Sequence, residues 1–153
     1  MFPGQVAPDF TATTLDGQEL KLSKLQGKVV LIDFWATWCG PCVAELPNVK
    51  KAYEQYNEKG LVIIGISFDQ DADTARKFIA KKKMNWTHVW AKGGDKSELA
   101  KLYYVSGIPR TFLIGPDGKV ADQDLRGDKL LKAIGKQIQQ LEQGDDPISL
   151  ITP

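Results

Sequence analysis

Residues 28–36 constrain this chain more than any other stretch. They place Val29, Val30, Leu31, Ile32, Phe34 and Trp35 almost without interruption, with Asp33 among them. A near-continuous apolar run of that length reads as a strand buried on both faces, the kind found in parallel sheets covered by helices. Cys39-Gly40-Pro41-Cys42 follows directly and opens a helical segment over residues 40–58. The pair stands at the junction of the most buried strand and a helix N-terminus, and these are the only cysteines among 153 residues.

The rest of the chain predicts an α/β architecture. Asp16-Gly17 is a turn signal between residues 10–15 and 19–22, so an N-terminal hairpin is expected. Residues 61–68 read as a second buried strand, 73–83 as a helix, 86–90 as a short strand and 97–104 as a short helix. Pro116-Asp117-Gly118 joins residues 111–114 and 119–121 in a second hairpin. Leu130, Ile134, Ile138 and Leu141 then form one helical stripe. Strand–helix alternation followed by a hairpin implies a mixed sheet with helices on both faces. Residues 1–144 are expected to form one domain. Residues 145–153 lack helical periodicity and are expected to form a flexible tail.

Composition removes several function classes. Twenty Lys and Arg against nineteen Asp and Glu leave a net charge of +1, so there is no polybasic footprint for nucleic acid. No apolar run approaches the ~20 residues of a membrane span. Two cysteines make neither a disulfide-stapled miniprotein nor a four-ligand zinc site. Residues 1–4 carry no signal-peptide pattern.

The spacing of the pair carries chemistry. The thiolate is the nucleophile of thiol–disulfide exchange, and an ordinary cysteine near ~8.5 is mostly protonated at neutral pH. Unpaired N–H groups and the helix dipole at a helix N-terminus favour negative charge, so the Cys39 pKa should fall toward about 7. Cys42, one turn in, is expected to be the less exposed of the two and to reach back to Cys39. Pro41 has no N–H to lose and suits the first turn, whereas Pro47 is expected to kink the helix. A structural disulfide is the plainer alternative, but so short a loop removes little unfolded-state entropy.

Asp33-Phe34-Trp35-Ala36-Thr37-Trp38-Cys39-Gly40-Pro41-Cys42 resembles the active-site signature of the thioredoxin superfamily. Pro47 falls on that family's helix-kinking proline. Gly107-Ile108-Pro109 with Thr111-Phe112-Leu113-Ile114 resembles its cis-proline loop and following strand. The opening residues 4–10, the Leu15-Asp16-Gly17 turn, an added helix and strand within about 69–90, and Glu45 after Cys42 resemble the TlpA/ResA/DsbE group of extracytoplasmic bacterial thiol–disulfide oxidoreductases. The resemblance implies a thioredoxin-like fold with an N-terminal hairpin and a central helix–strand insertion. It also implies a leader or anchor in the full-length product, a periplasmic setting, a membrane thiol donor of electrons, and no cofactor or metal. The expected state is a monomer.

Roles follow from the residues and the resemblance together. Cys39 attacks a partner disulfide, and Cys42 resolves the mixed disulfide. Asp33, in an apolar run, should be desolvated, and burial raises a carboxyl pKa toward neutrality; the resemblance implies that it accepts the Cys42 proton. Glu45 is the second acid, implied to tune the pair. Trp38, Gly40, Pro41, Ile108, Pro109 and Arg110 form the expected substrate surface, with Ile108 offering backbone groups to a substrate strand. Arg110 stands where the family most often has Thr, so a cation favouring acidic partners or steadying the thiolate is expected there. Trp35 is expected to pack inside, Trp86 and Trp90 in the core or at an edge, and His88 to be structural. Arg126-Gly127-Asp128 is read as a chance occurrence of an adhesion tripeptide.

The expected activity is reduction of protein disulfides, with the Cys-x-x-Cys-His pair of apocytochrome c as a client. One alternative is a thiol peroxidase, since peroxiredoxin-like chains share the Ala7-Pro8-Asp9-Phe10 type of opening. Those proteins use Pro-x-x-x-Thr-x-x-Cys, and here Ile32 and Ala36 occupy the matching positions. A copper chaperone using both thiolates is a second alternative, with only His88, Met1 and Met84 to complete a site. A redox-idle docking module is a third.

Overall fold

A computed structural model describes residues 1–144; the tail expected over 145–153 lies outside the described residues. The elements follow the predicted order: β1 (Thr11–Thr13), β2 (Glu19–Lys21), β3 (Val29–Trp35), α1 (Gly40–Tyr56), β4 (Leu61–Ser67), α2 (Ala72–Lys81), β5 (Thr87–Trp90), α3 (Glu98–Leu102), β6 (Arg110–Ile114), β7 (Val120–Gln123) and α4 (Asp128–Gly144). Side-chain caps mark two of the helix starts: Asp71 accepts from Thr74 N at 2.7 Å and Ser97 from Ala100 N at 3.2 Å.

Among the described residues, five strands form one sheet in the order β5-β4-β3-β6-β7. β3 pairs with β4 in parallel and β4 with β5 in parallel, while β6 and β7 run antiparallel. The most apolar strand takes the central place because both its ladder edges and both its faces are then covered. Every residue of β3 is buried except Asp33, which is half-buried. Two successive right-handed crossovers in one direction put α1 and α2 on the same face. Trp35 meets Phe78 of α2 there, and Tyr56 of α1 abuts Gly135 of α4. The opposite face carries Phe34, packed on Phe68, Tyr103 and Phe112.

The N-terminal residues cover both outer edges of the sheet. Gly4 N donates to Val120 O beside β7, and Leu15 N donates to His88 O on β5, where Thr14 bridges Val89. These contacts shorten the edge left open for pairing with another chain. The hairpin β1–β2 therefore does more than extend the fold.

Thr111, Asp33, Gly65 and His88 lie in one row across four strands. Gly65 leaves the space into which the His88 ring leans: a Cβ at position 65 would sit 2.7 Å from His88 Nδ1 and 3.2 Å from Trp35 Nε1. His88 Nε2 lies 2.9 Å from the Met84 carbonyl oxygen, and burial pushes the ring pKa down to about 4, so it is neutral at pH 7. Gly65→Ala should therefore cost about 1–3 kcal/mol, the usual range for overpacking a filled core. Urea unfolding of the variant checks this, and an unchanged midpoint would contradict the packing described.

Candidate active site

The turn out of β3 delivers Cys39 to the N-terminus of α1. Cys39 has extended backbone angles, φ −89° and ψ 103°, and is the helix N-cap. Its Sγ accepts from Cys42 N at 3.3 Å, so the sulfur occupies the place a capping oxygen would take. Cys39 and Cys42 form a disulfide with Cα atoms 5.3 Å apart. The expectation that Cys42 is the less exposed does not hold: Cys39 is 5% and Cys42 7% exposed, because the bridge ties both sulfurs against the core. Pro47 lies within α1, which runs continuously from Gly40 to Tyr56.

Below the disulfide, Asp33, Cys42, Glu45 and Pro109 line a cavity of about 30 Å³, together with Thr111, Leu125 and Leu130. That is room for a water molecule or two. Asp33 is half-buried by surface because it opens onto this cavity, but its surroundings are desolvating. Burial first, and the nearby Glu45 charge second, raise its pKa from 3.8 to about 7. Glu45 is no free surface acid: its Oε1 accepts from Gly127 N at 2.6 Å, tying α1 to the turn that starts α4. That bond also gives the Arg126-Gly127-Asp128 turn a structural part in the fold.

The remaining expected residues divide into two groups. Trp38 stands 65% exposed beside the disulfide, Gly40 and Pro41 are exposed, and the Ile108–Pro109 peptide is cis. Arg110 is ion-paired. Its Nε donates to Asp124 Oδ1 at 2.8 Å, and its guanidinium carbon lies 5.0 Å from the Phe112 ring centroid. Asp124, held at φ +56°, thus engages the cation in an ion pair. Trp35 is buried, Trp86 packs on Tyr53 at 5.8 Å, and Trp90 donates to the Asp69 carbonyl oxygen at 2.8 Å.

Asp69 is the residue that sequence reasoning missed. It is 2% exposed, and its carboxylate accepts from Thr37 N at 3.1 Å, Thr37 Oγ1 at 2.6 Å and Ser67 Oγ at 2.7 Å. These bonds fasten the loop between β3 and Cys39 to the end of β4. A signal existed: an acid directly after the second apolar strand falls level with the first strand's end when the two pair in parallel.

A mixed sheet with an N-capping Cys-x-x-Cys, a carboxyl group near neutrality beneath it and a cis-proline loop beside it defines a thioredoxin-like thiol–disulfide oxidoreductase. Comparison with known proteins agrees. Residues 3–123 match the AhpC/TSA family, and the chain belongs to that family. The thiol–disulfide oxidoreductase ResA of Bacillus thuringiensis subsp. konkukian is 33% identical over 138 residues, covering 90% of this chain and 78% of that protein. The thioredoxin domain of a Bacteroides vulgatus thiol–disulfide oxidoreductase superposes with a TM-score of 0.82 at 33% identity, covering 90% of this chain and 99% of that one. A thiol:disulfide interchange protein from Bacteroides sp. gives 0.81 at 33% identity, covering 94% of each chain. Ala36, fully buried, stands where the peroxidase motif has its threonine, so no hydroxyl is present at that position to polarise a peroxide.

The raised Asp33 pKa has a consequence for stability. Between about pH 4 and 7 the native state keeps a proton that the unfolded chain has released, so stability falls as pH rises through that window. At about 1.4 kcal/mol per unit, the cost above pH 7 is on the order of 4 kcal/mol. Asp33→Asn should flatten this slope and stabilise the oxidised protein at pH 8, as read by urea unfolding at several pH values. A slope that survives the substitution would remove Asp33 as its source.

Proposed function

We propose that this protein reduces protein disulfides through Cys39 and Cys42. The observation that carries the proposal is the placement of Cys39 Sγ at the α1 N-cap, with Asp33 and Cys42 on one small cavity beneath it. In the reduced protein the N-terminal N–H groups of α1 favour a thiolate at Cys39. That thiolate attacks one sulfur of the client disulfide, forming a mixed disulfide and expelling a client thiolate, which takes up a proton. Cys42 gives its proton to Asp33 and attacks Cys39 Sγ. The second client thiolate leaves, and two electrons have passed from the protein dithiol to the client disulfide.

A base that removes a thiol proton near pH 7 works best with a pKa close to that pH, and Asp33 at about 7 meets this requirement. Glu45, bound to Gly127, keeps a second negative charge near Asp33 and so helps hold its pKa up. Ile108 offers its backbone to the client, with cis Pro109 turning the chain away behind it. Trp38, Gly40 and Pro41 form the exposed rim around the sulfur pair. The setting proposed, from the resemblance of the sequence to the extracytoplasmic group, is the periplasm or extracytoplasmic face, with electrons supplied by a membrane thiol protein. The apocytochrome c Cys-x-x-Cys-His pair is the client proposed. No helix among the described residues is long and apolar enough to cross a membrane.

Three measurements test this. Cys39→Ser should abolish reduction of insulin disulfides, and Cys42→Ser should accumulate a mixed disulfide; activity retained in Cys39→Ser would overturn the assignment of the nucleophile. Asp33→Asn should slow the resolving step at pH 7 by roughly two orders of magnitude, the ordinary worth of a positioned base. The reduction potential should lie near the thioredoxin end of the scale, about −270 mV; a value near about −120 mV would make the protein an oxidant.

A further inference from the structure

Beside the disulfide runs a groove of about 650 Å³ walled by Trp38, Phe68, Gln70, Gly94, Asp95 and Ile108. It joins three loops: the one before Cys39, the one after β4, and the cis-proline loop. The long connection between β5 and α3 supplies its outer wall. Its charge has one sign. Asp95 stands exposed on that outer wall, and Asp69 lines the groove from below with its carboxylate held only by neutral donors from Thr37 and Ser67. Among the described residues neither carboxylate joins an ion pair, and no lysine or arginine lines the groove. Lys92 and Lys96 flank this wall in the chain but do not line the groove. Arg110, the cation expected here from the sequence, is spent on Asp124.

Two further features fix the shape of an occupant. Gly93, Gly94 and Gly107 line the groove without side chains, so an extended chain can approach their backbone closely. Trp38, 65% exposed, presents an indole face, the best aromatic partner for a cation. We infer that the groove takes an extended, cationic segment of the client next to its disulfide, and that Asp95 is the residue setting this preference. The inference rests on the reading of the protein as a disulfide reductase and adds the charge class of its substrate. Lysine or arginine on the client places its ammonium or guanidinium between Asp95 and the Trp38 face. An acidic segment meets the exposed Asp95 carboxylate, with that of Asp69 buried beneath the groove floor, and no cation lining the groove.

The test uses the pre-reduced full chain and three synthetic peptides with the same internal disulfide, flanked by Lys, Gln or Glu. Each rate is divided by the rate at which dithiothreitol reduces that peptide, which removes the effect of the flanking charge on the disulfide itself. The normalised order should be Lys over Gln over Glu at low ionic strength, about two- to fivefold per step, the size of an exposed charge contact. Salt should compress the order, since at 1 M the screening length falls to about 3 Å. Asp95→Asn should narrow the Lys-to-Glu ratio and Asp95→Lys should erase or invert it. Equal normalised rates, faster reduction of the Glu peptide, or an unchanged ratio in Asp95→Lys would each overturn the inference. Neutral 2-hydroxyethyl disulfide separates the two levels. If the wild type reduces it while showing no charge preference, the inference alone falls; if it does not, the redox reading falls and takes the inference with it.

Discussion

Strand β3 is buried on both faces, and its end is where the chain must pass from extended backbone into helix α1. Much of the site's chemistry follows from that passage. The strand's burial places Cys39 at the N-cap of α1, where the Cys42 N–H points at its sulfur. The same burial surrounds Asp33, the one residue of β3 left half-buried, and desolvation lifts its pKa to about 7. A sulfur at a helix N-cap and a carboxyl group whose pKa is raised to about 7 thus come from one structural cause.

The carboxylates around the disulfide do different work because their surroundings differ. Asp33 has burial without a cation and keeps its proton up to about pH 7. Glu45 spends its carboxylate on Gly127 N, joining α1 to the turn before α4. Asp69 takes three neutral donors and secures the loop before Cys39. Asp124 binds Arg110, and Asp95 is left exposed on the groove wall. Residue type alone distinguishes none of these roles.

Much of this was legible along the chain. The apolar run of β3, the α4 stripe of Leu130, Ile134 and Ile138, and both hairpin turns appear as read, because each is a local pattern that burial simply enforces. The pairing of Arg110 was not legible: Asp124 is fourteen residues away and reaches it only through the β6–β7 turn. The near-equal exposure of Cys39 and Cys42 likewise depends on the wall packed around the bridge.

The sequence by itself determined the class of chemistry, since an N-terminal Cys-Gly-Pro-Cys after a buried strand gives a thiol pair at a helix start whatever surrounds it. It also determined the layered α/β fold, through apolar periods that only one kind of sheet satisfies. Tertiary structure alone decided which charges remain free. A charge is neutralised or left unpaired by whatever lies within a few ångströms of it, and those neighbours come from distant parts of the chain. That is why Arg110, the cation expected beside the groove, is bound to Asp124, while the groove itself is left with Asp69 and Asp95.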